Sequence, residues 1–201
     1  VPDAGRIGSA APGRYGTPGA SPLALRETRF AAMWNAQGAA SPGAFADAAR
    51  AHFGVEPPRA PNTIARAARW SLAWLGPKSW LALASPPSPS DAPLPAFEST
   101  RDAINCAGGA LFEVSAARAA WTVTGGYVET VLAKLCPLDF DARAFPAGTC
   151  AQSVLGHMNA LYLREATGAF TLLVAASYAR DAWHALCTAS AQYGYEVFAP
   201  R

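Results

Sequence analysis

Residues 85–95 read Ser-Pro-Pro-Ser-Pro-Ser-Asp-Ala-Pro-Leu-Pro, five prolines in eleven residues. Proline has no backbone N–H and its φ is fixed, so this stretch can be neither a helix interior nor a central strand. Regular structure must therefore lie on either side of it. The expectation is a first subdomain over 23–85, a linker over 86–96 and a second subdomain over 97–201. Residues 1–22 are rich in Gly, Pro, Ala and Ser and have little to bury. They read as a flexible N-terminal arm, or as an extended arm laid on a partner.

Before the linker, residues 27–36 read as a strand. Ser41-Pro42 sets up a helix start, with serine as cap and proline at the first helical position. Phe45, Ala48, Ala49 and Phe53 then recur at helical spacing, and Gly54 provides a stop. Trp70, Leu72 and Trp74 alternate with Ser71 and Ala73, which predicts a strand. Gly76 to Ser79 makes a turn, and Trp80 to Leu83 returns as the second arm of a hairpin.

After the linker, a helix is expected from Phe97 to Ala107, ended by Gly108-Gly109. Strands over 111–115 and 119–124 follow. Thr124 is placed to cap a helix from Gly125, whose Val128, Val131, Leu132 and Leu135 share one face. Glu129 and Lys134 lie off that stripe, and Pro137 forbids a further turn. Strands are predicted at 150–157, 160–164 and 169–174. A last helix runs from the cap residue Ser177 to about Tyr193, burying Ala182, Leu186, Ala189 and Tyr193, and ends at Gly194. Strands interrupted by single helices, without regular alternation, argue for an α+β fold. It is expected as two small subdomains of antiparallel or mixed sheet with packed helices.

Composition limits the function. Only 15% of the 201 residues are charged and the net charge is +2, against about a quarter charged in an ordinary soluble domain. A chain with so few charges is expected to cover part of its surface with a partner. The scattered Lys and Arg residues leave no nucleic-acid footprint. No apolar run is long enough to span a bilayer, and no signal-type apolar segment opens the chain, so a cytoplasmic location is expected. The six tryptophans read as core, with interface anchors as the alternative. Cys106, Cys136, Cys150 and Cys187 lack the spacing of a zinc site or redox pair and read as reduced thiols.

Motifs for chemistry are scarce. There is no glycine-rich dinucleotide or phosphate loop and no nucleophile elbow. His52, His157 and His184 stand apart. Cys150 and His157 share one expected strand seven residues apart, over 20 Å at about 3.3 Å per residue, too far for a nucleophile–base pair. Asp139 and Asp141 read as loop-capping carboxylates. Arg118 and Arg164 are candidates to bind a carboxylate, or to be paired within the chain.

The most distinctive grammar lies in Thr122–Gln152. Cys136-Pro137-Leu138-Asp139 is followed by Phe145-Pro146-Ala147-Gly148-Thr149-Cys150-Ala151-Gln152. With Pro61-Asn62-Thr63, Trp74-Leu75-Gly76-Pro77, Trp80-Leu81, Glu113-Val114-Ser115, Thr124-Gly125, Leu132-Ala133-Lys134, Ser177-Tyr178-Ala179 and Trp183, these motifs resemble the gamma subunit of heterotetrameric sarcosine oxidase over roughly 60–190. Gly126 stands where that family usually has proline, and Ala176 where it usually has arginine. The resemblance implies a fold like the folate-binding T-protein of glycine cleavage and a complex with alpha, beta and delta subunits. It implies oxidation of sarcosine to glycine, with hydrogen peroxide and 5,10-methylenetetrahydrofolate as products. FAD, FMN and NAD would belong mainly to the alpha and beta subunits, and tetrahydrofolate to the complex.

No catalytic residue transfers to a position here. The family-motif and interface candidates are Trp80, Gly125, Cys136, Pro137, Asp139, Gly148, Cys150, Gln152, Ser177 and Trp183. The expected role is a non-catalytic structural or assembly subunit of an oxidoreductase. The alternative is a stand-alone folate-binding or aminomethyltransferase-like protein, with Asp139 or Glu113 as the second-half carboxylates to hold a pterin ring.

Overall fold

The chain builds two sheets: a five-stranded one from the continuous stretch Phe30–Ser115, and a seven-stranded one from the segments on either side of it. The computed structural model describes residues 11–17, 23–39, 43–89 and 91–200. One unit takes in the chain up to Arg29 and again from Ala116 onward; the other is Phe30–Ser115.

In the Phe30–Ser115 unit, five strands lie in the order β4-β5-β6-β3-β7, all antiparallel. They are β3 (Ala32–Gln37), β4 (Ile64–Arg66), β5 (Trp70–Gly76), β6 (Ser79–Ala84) and β7 (Ala110–Glu113). Helices α1 (Ala44–Phe53) and α2 (Phe97–Cys106) complete the unit. The period of two in Trp70, Leu72 and their neighbours puts a row of large groups on one face. Trp34, Trp70, Leu72 and Trp80 there pack with Phe45, Phe53 and Ile104 from the helices. Trp34 and Trp70 lie 4.7 Å apart at their ring centroids, and Phe53 meets Trp70 edge-on at 5.0 Å. This is the offset and edge geometry that aromatic quadrupoles favour.

The other unit has seven strands in the order β1-β12-β2-β8-β11-β10-β9. They are β1 (Gly13–Tyr15), β2 (Leu23–Glu27), β8 (Arg118–Thr124), β9 (Cys150–Leu155), β10 (Met158–Ala166), β11 (Ala169–Ala175) and β12 (Tyr195–Phe198). The β12–β2 pair is parallel and the others are antiparallel, so the sheet is mixed. Helices α3 (Val128–Ala133) and α4 (Ala179–Ser190) cover one face. Val128, Val131, Leu132, Ala182, Trp183 and Leu186 meet Trp121, Val123, Tyr162 and Leu172 in its core.

The expected α+β class, the 70–84 hairpin and the Gly54 stop are found; Gly54 is left-handed (φ 75) and its N–H donates to the Arg50 carbonyl. Several boundaries differ. The linker does not separate the two units. After it, α2 and β7 return to the first-half sheet, because β3 has a second edge to satisfy and β7 fills it. The Arg69 side chain holds the linker back by donating to the Ser85 and Ala92 carbonyls. In the expected arm, Gly13–Tyr15 pair with β12, and Tyr15 stacks on Tyr195 at 5.4 Å; the other calls on that arm lie outside the described residues, as does Ser41-Pro42. The 27–36 strand is two strands, β2 ending at Glu27 and β3 starting at Ala32, one for each sheet.

Thr124 does not cap a helix. It stays in β8, opposite Ala169 and Ala24, and α3 begins only at Val128 with no side-chain cap. The turn expected at Met158-Asn159 lies two residues earlier, at Gly156-His157. Ser177 sits in a short 3-10 turn and makes no cap bond. β12, after Gly194, was not expected.

Candidate functional site

The stretch between α3 and β9 gathers the motif residues, and its shape is set by one buried cation. Arg164 lies on β10 and is 1% exposed. Its guanidinium donates to the Phe140 carbonyl at 2.6 Å and to Glu129 Oε1 at 2.9 Å. The same Glu129 oxygen accepts the Gly168 N–H at 3.3 Å, and the Phe170 ring lies 4.9 Å from the guanidinium carbon. Arg164 also joins the loop through its backbone: its N–H donates to the Thr149 carbonyl, and its carbonyl accepts the Gly148 N–H, both at 2.9 Å. Alternation along β10 places this side chain against the covered face of the sheet, where a charge needs full pairing. Glu129, off the apolar stripe of α3, supplies the counter-charge.

The motif residues serve that arrangement. Lys134 and Leu135 close α3 by donating to Val131 and Leu132, and Pro137 stops it. The Leu135 carbonyl then accepts the Gly156 N–H at 2.7 Å, tying the helix end to the β9–β10 turn. Cys136 is buried beside Tyr162, whose hydroxyl donates to the Val154 carbonyl at 2.7 Å. Burial, then the neighbouring Cys136 thiol, push the Tyr162 phenol far above its ordinary pKa. Phe140 and Phe145 turn inward and meet Phe170 edge-on at 5.5 and 5.8 Å.

Asp139 is exposed, and its Oδ1 accepts the Asp141 N–H at 2.9 Å. Asp141 in turn accepts the Arg143 N–H and Nε–H, each at 2.9 Å, and that arginine holds the Asp141 carboxyl below the usual carboxylate range. Gly148 adopts φ 82, a left-handed turn feeding β9. Cys150 is buried opposite Leu163, while Gln152 projects to the surface opposite Leu161.

Gly125 ends β8, donating to the Gly168 carbonyl at 3.1 Å. Trp183 stacks on Trp121 at 6.3 Å. Ser177 is exposed at the entry to α4. Trp80 belongs to the other unit, where its indole N–H donates to the Pro58 carbonyl at 2.9 Å and its ring stacks on Phe45. The structure thus brings together Cys136, Pro137, Asp139, Gly148, Cys150 and Gln152. It places Gly125 next to their anchor at Gly168, and Ser177, Trp183 and Trp80 elsewhere. Sequence reasoning missed Glu129 as the partner of Arg164. A charged residue on the flank of an apolar stripe was the available signal, but its partner lies 35 positions away.

His157 lies in the β9–β10 turn, exposed. The four cysteines are free thiols, and no group of three metal-ligating side chains forms among the described residues. The carboxylates expected to hold a pterin ring make contacts within the chain. Glu113 has both oxygens engaged, by the Trp34 indole N–H at 2.7 Å and the Ser115 N–H at 2.9 Å, and Asp139 braces its own loop. Among the described residues, no helix is long and apolar enough to cross a membrane.

Residues 37–192 match the family model described as the sarcosine oxidase, gamma subunit family. Sarcosine oxidase subunit gamma of Corynebacterium sp. (strain P-1) is 28% identical over 181 residues, spanning 90% of this chain and 86% of that protein. A chain of the heterotetrameric sarcosine oxidase from Corynebacterium sp. U-96, solved with pyrrole 2-carboxylate, shares the fold with a TM-score of 0.75 at 23% identity, covering 85% of each chain. The motifs, the match over most of the sequence and the shared fold lead to one conclusion: this chain belongs to the sarcosine oxidase gamma subunit family.

Proposed function

We propose that this chain is a non-catalytic, structural subunit of a heterotetrameric sarcosine oxidase, assembled with alpha, beta and delta subunits. The complex would oxidise sarcosine to glycine and yield hydrogen peroxide and 5,10-methylenetetrahydrofolate. FAD, FMN and NAD would be held by the partner chains, and tetrahydrofolate by the complex. A T-protein-like fold and a cytoplasmic location are part of the same reading.

The observation that carries it is the use made of the polar groups in and around the 136–152 loop. Arg164 and Glu129 pair with each other and with the backbone of the loop, and Asp139 and Asp141 brace successive loop residues. A site for chemistry needs polar groups held ready for a substrate; these hold the loop. The low charged fraction and the exposed Tyr127, Tyr178 and Phe112 add the surface of a chain that is partly covered in its working state.

Co-expression tests the proposal. Expressed alone, the chain should be flavin-free, inactive toward sarcosine and poorly soluble. With the other three subunits it should co-purify in a sarcosine-oxidising complex. A monodisperse monomer with its own sarcosine oxidase activity would overturn the proposal. Saturable micromolar binding of tetrahydrofolate to the isolated chain would favour the folate-binding alternative.

A further inference from the structure

Arg118 and Arg164 carry the same expectation from sequence, and the structure answers it differently for each. Arg164 is buried, and Glu129 and the Phe140 carbonyl take up its guanidinium. Arg118 opens β8, opposite Ala175. Alternation along the strand sends Trp121 and Val123 into the core under α3 and α4, so Arg118 projects from the other face of the sheet. It is half-buried there. Among the described residues, no acid, hydrogen-bond acceptor or aromatic ring meets its guanidinium. Burial holds its pKa below the ordinary arginine value, where a neighbouring acid would raise it.

The other half-buried arginines each have a contact within the chain. Arg29 pairs with Glu27, Arg69 with Asp91 and Arg101 with Asp102, while Arg26 lies 5.0 Å from the centre of the Phe198 ring. Arg180 is exposed, where water solvates it. A guanidinium drawn halfway out of water with no anion beside it costs free energy that an incoming acceptor offsets. The surroundings of Arg118 define the class of that acceptor. Residues 116–120 are otherwise alanine, as are 175 and 176 on the facing strand end. No second cation in these runs shares a phosphate dianion, whereas one guanidinium fork matches one carboxylate. The alanines have no polar group to hold the rest of a small carboxylate ligand, as a ligand site must. A carboxylate carried on a protein surface is held in place by the rest of its own interface.

We propose that Arg118 is an interface anchor that binds the carboxylate of an Asp or Glu side chain on another subunit of the oxidase. The inference rests on the reading of this chain as a subunit of that complex. The acids of this chain argue against a second copy as the source. They number 14 against 16 Lys and Arg, and those described are almost all engaged. Arg50 takes Asp47 and Glu56, Arg143 takes Asp141, and Arg14 takes Glu196. Among the described residues, only Glu98 and Asp181 lack a hydrogen bond or ion pair. Each stands in the first turn of its helix, where the helix dipole already favours a negative charge. The anion for Arg118 is therefore assigned to a different chain.

The test is competition for the complex. The wild-type chain and R118Q are co-expressed with limiting amounts of the other three subunits, and mass spectrometry reads their ratio in the purified complex and in the total extract. Equal amounts in the extract, with about tenfold enrichment of wild type in the complex, are expected. R118K keeps the charge but not the fork and should fall between the two. Equal incorporation of R118Q, the result if Arg118 takes a free carboxylate or stays solvated, overturns the anchor while leaving subunit membership intact. Failure of the wild-type chain to enter the complex overturns both. Depletion of R118Q from the extract as far as from the complex marks a role inside the chain and overturns the proposal. Self-association of the isolated chain that is lost in R118Q, and lost again in E98Q/D181N, names a second copy as the source and overturns it as well.

Discussion

Arg164 is the residue on which the motif loop depends. Replacing it with alanine removes the positive member of a buried pair and leaves the Phe140 carbonyl without its donor. The expected cost is about 3 kcal/mol in urea unfolding. R164K keeps the charge but not the forked geometry and should lie between alanine and wild type. Asp141 gives a pH signature. Its carboxyl titrates below the usual range, chiefly because of Arg143. The sign follows: its contribution to the loop is present above the ordinary carboxylate pKa and is lost as pH falls through the lowered folded value. R143A should raise the Asp141 titration midpoint toward an ordinary carboxylate, read by carboxyl-carbon NMR. At this scale the sequence was legible in part. The run 160–164 was recognisable as a strand, and the bracing aspartates as loop residues. The partnership of Arg164 with Glu129 was not legible, since a contact 35 residues apart has no local signature.

At the scale of elements, local rules read best where local forces decide. The Trp70–Ala84 hairpin followed from a period of two and a glycine-proline turn, and α1 ended at Gly54 as a left-handed stop requires. The Thr124 cap failed because a ladder to β11 and β2 outcompeted one capping bond, and α3 is shortened to six residues for the same reason. The glycines of this region separate backbone strain from packing. Gly148 is left-handed at φ 82, with nothing within 4 Å of an added Cβ. G148A should therefore cost about 1 kcal/mol from conformation alone. Gly126 also has open space but no left-handed φ, so G126A should be neutral or slightly stabilising in the same thermal-melting series.

For the whole molecule, the proline-rich stretch was recognised as non-regular, but not as an excursion inside one unit. Proline chemistry dictates what residues 85–95 cannot be; it does not dictate where the chain goes next. That is set by β3, whose second edge is filled by β7 after the linker, and by β12, which inserts between β1 and β2 from the far end of the sequence. Such pairings are non-local. The family was legible from motifs quoted along roughly 60–190, and the match over residues 37–192 bears that reading out.

The most direct measurement of the central claim is the turnover number of sarcosine oxidation per assembled complex carrying D139N, Q152A and S177A together. These are the exposed polar residues among the motif and interface candidates Trp80 to Trp183 named above, and none is buried in a core. The account predicts a value within about twofold of wild type once normalised to complex recovered, with any loss appearing in recovery. A fully assembled complex whose turnover falls about a hundredfold would place these side chains in the reaction itself and contradict the account.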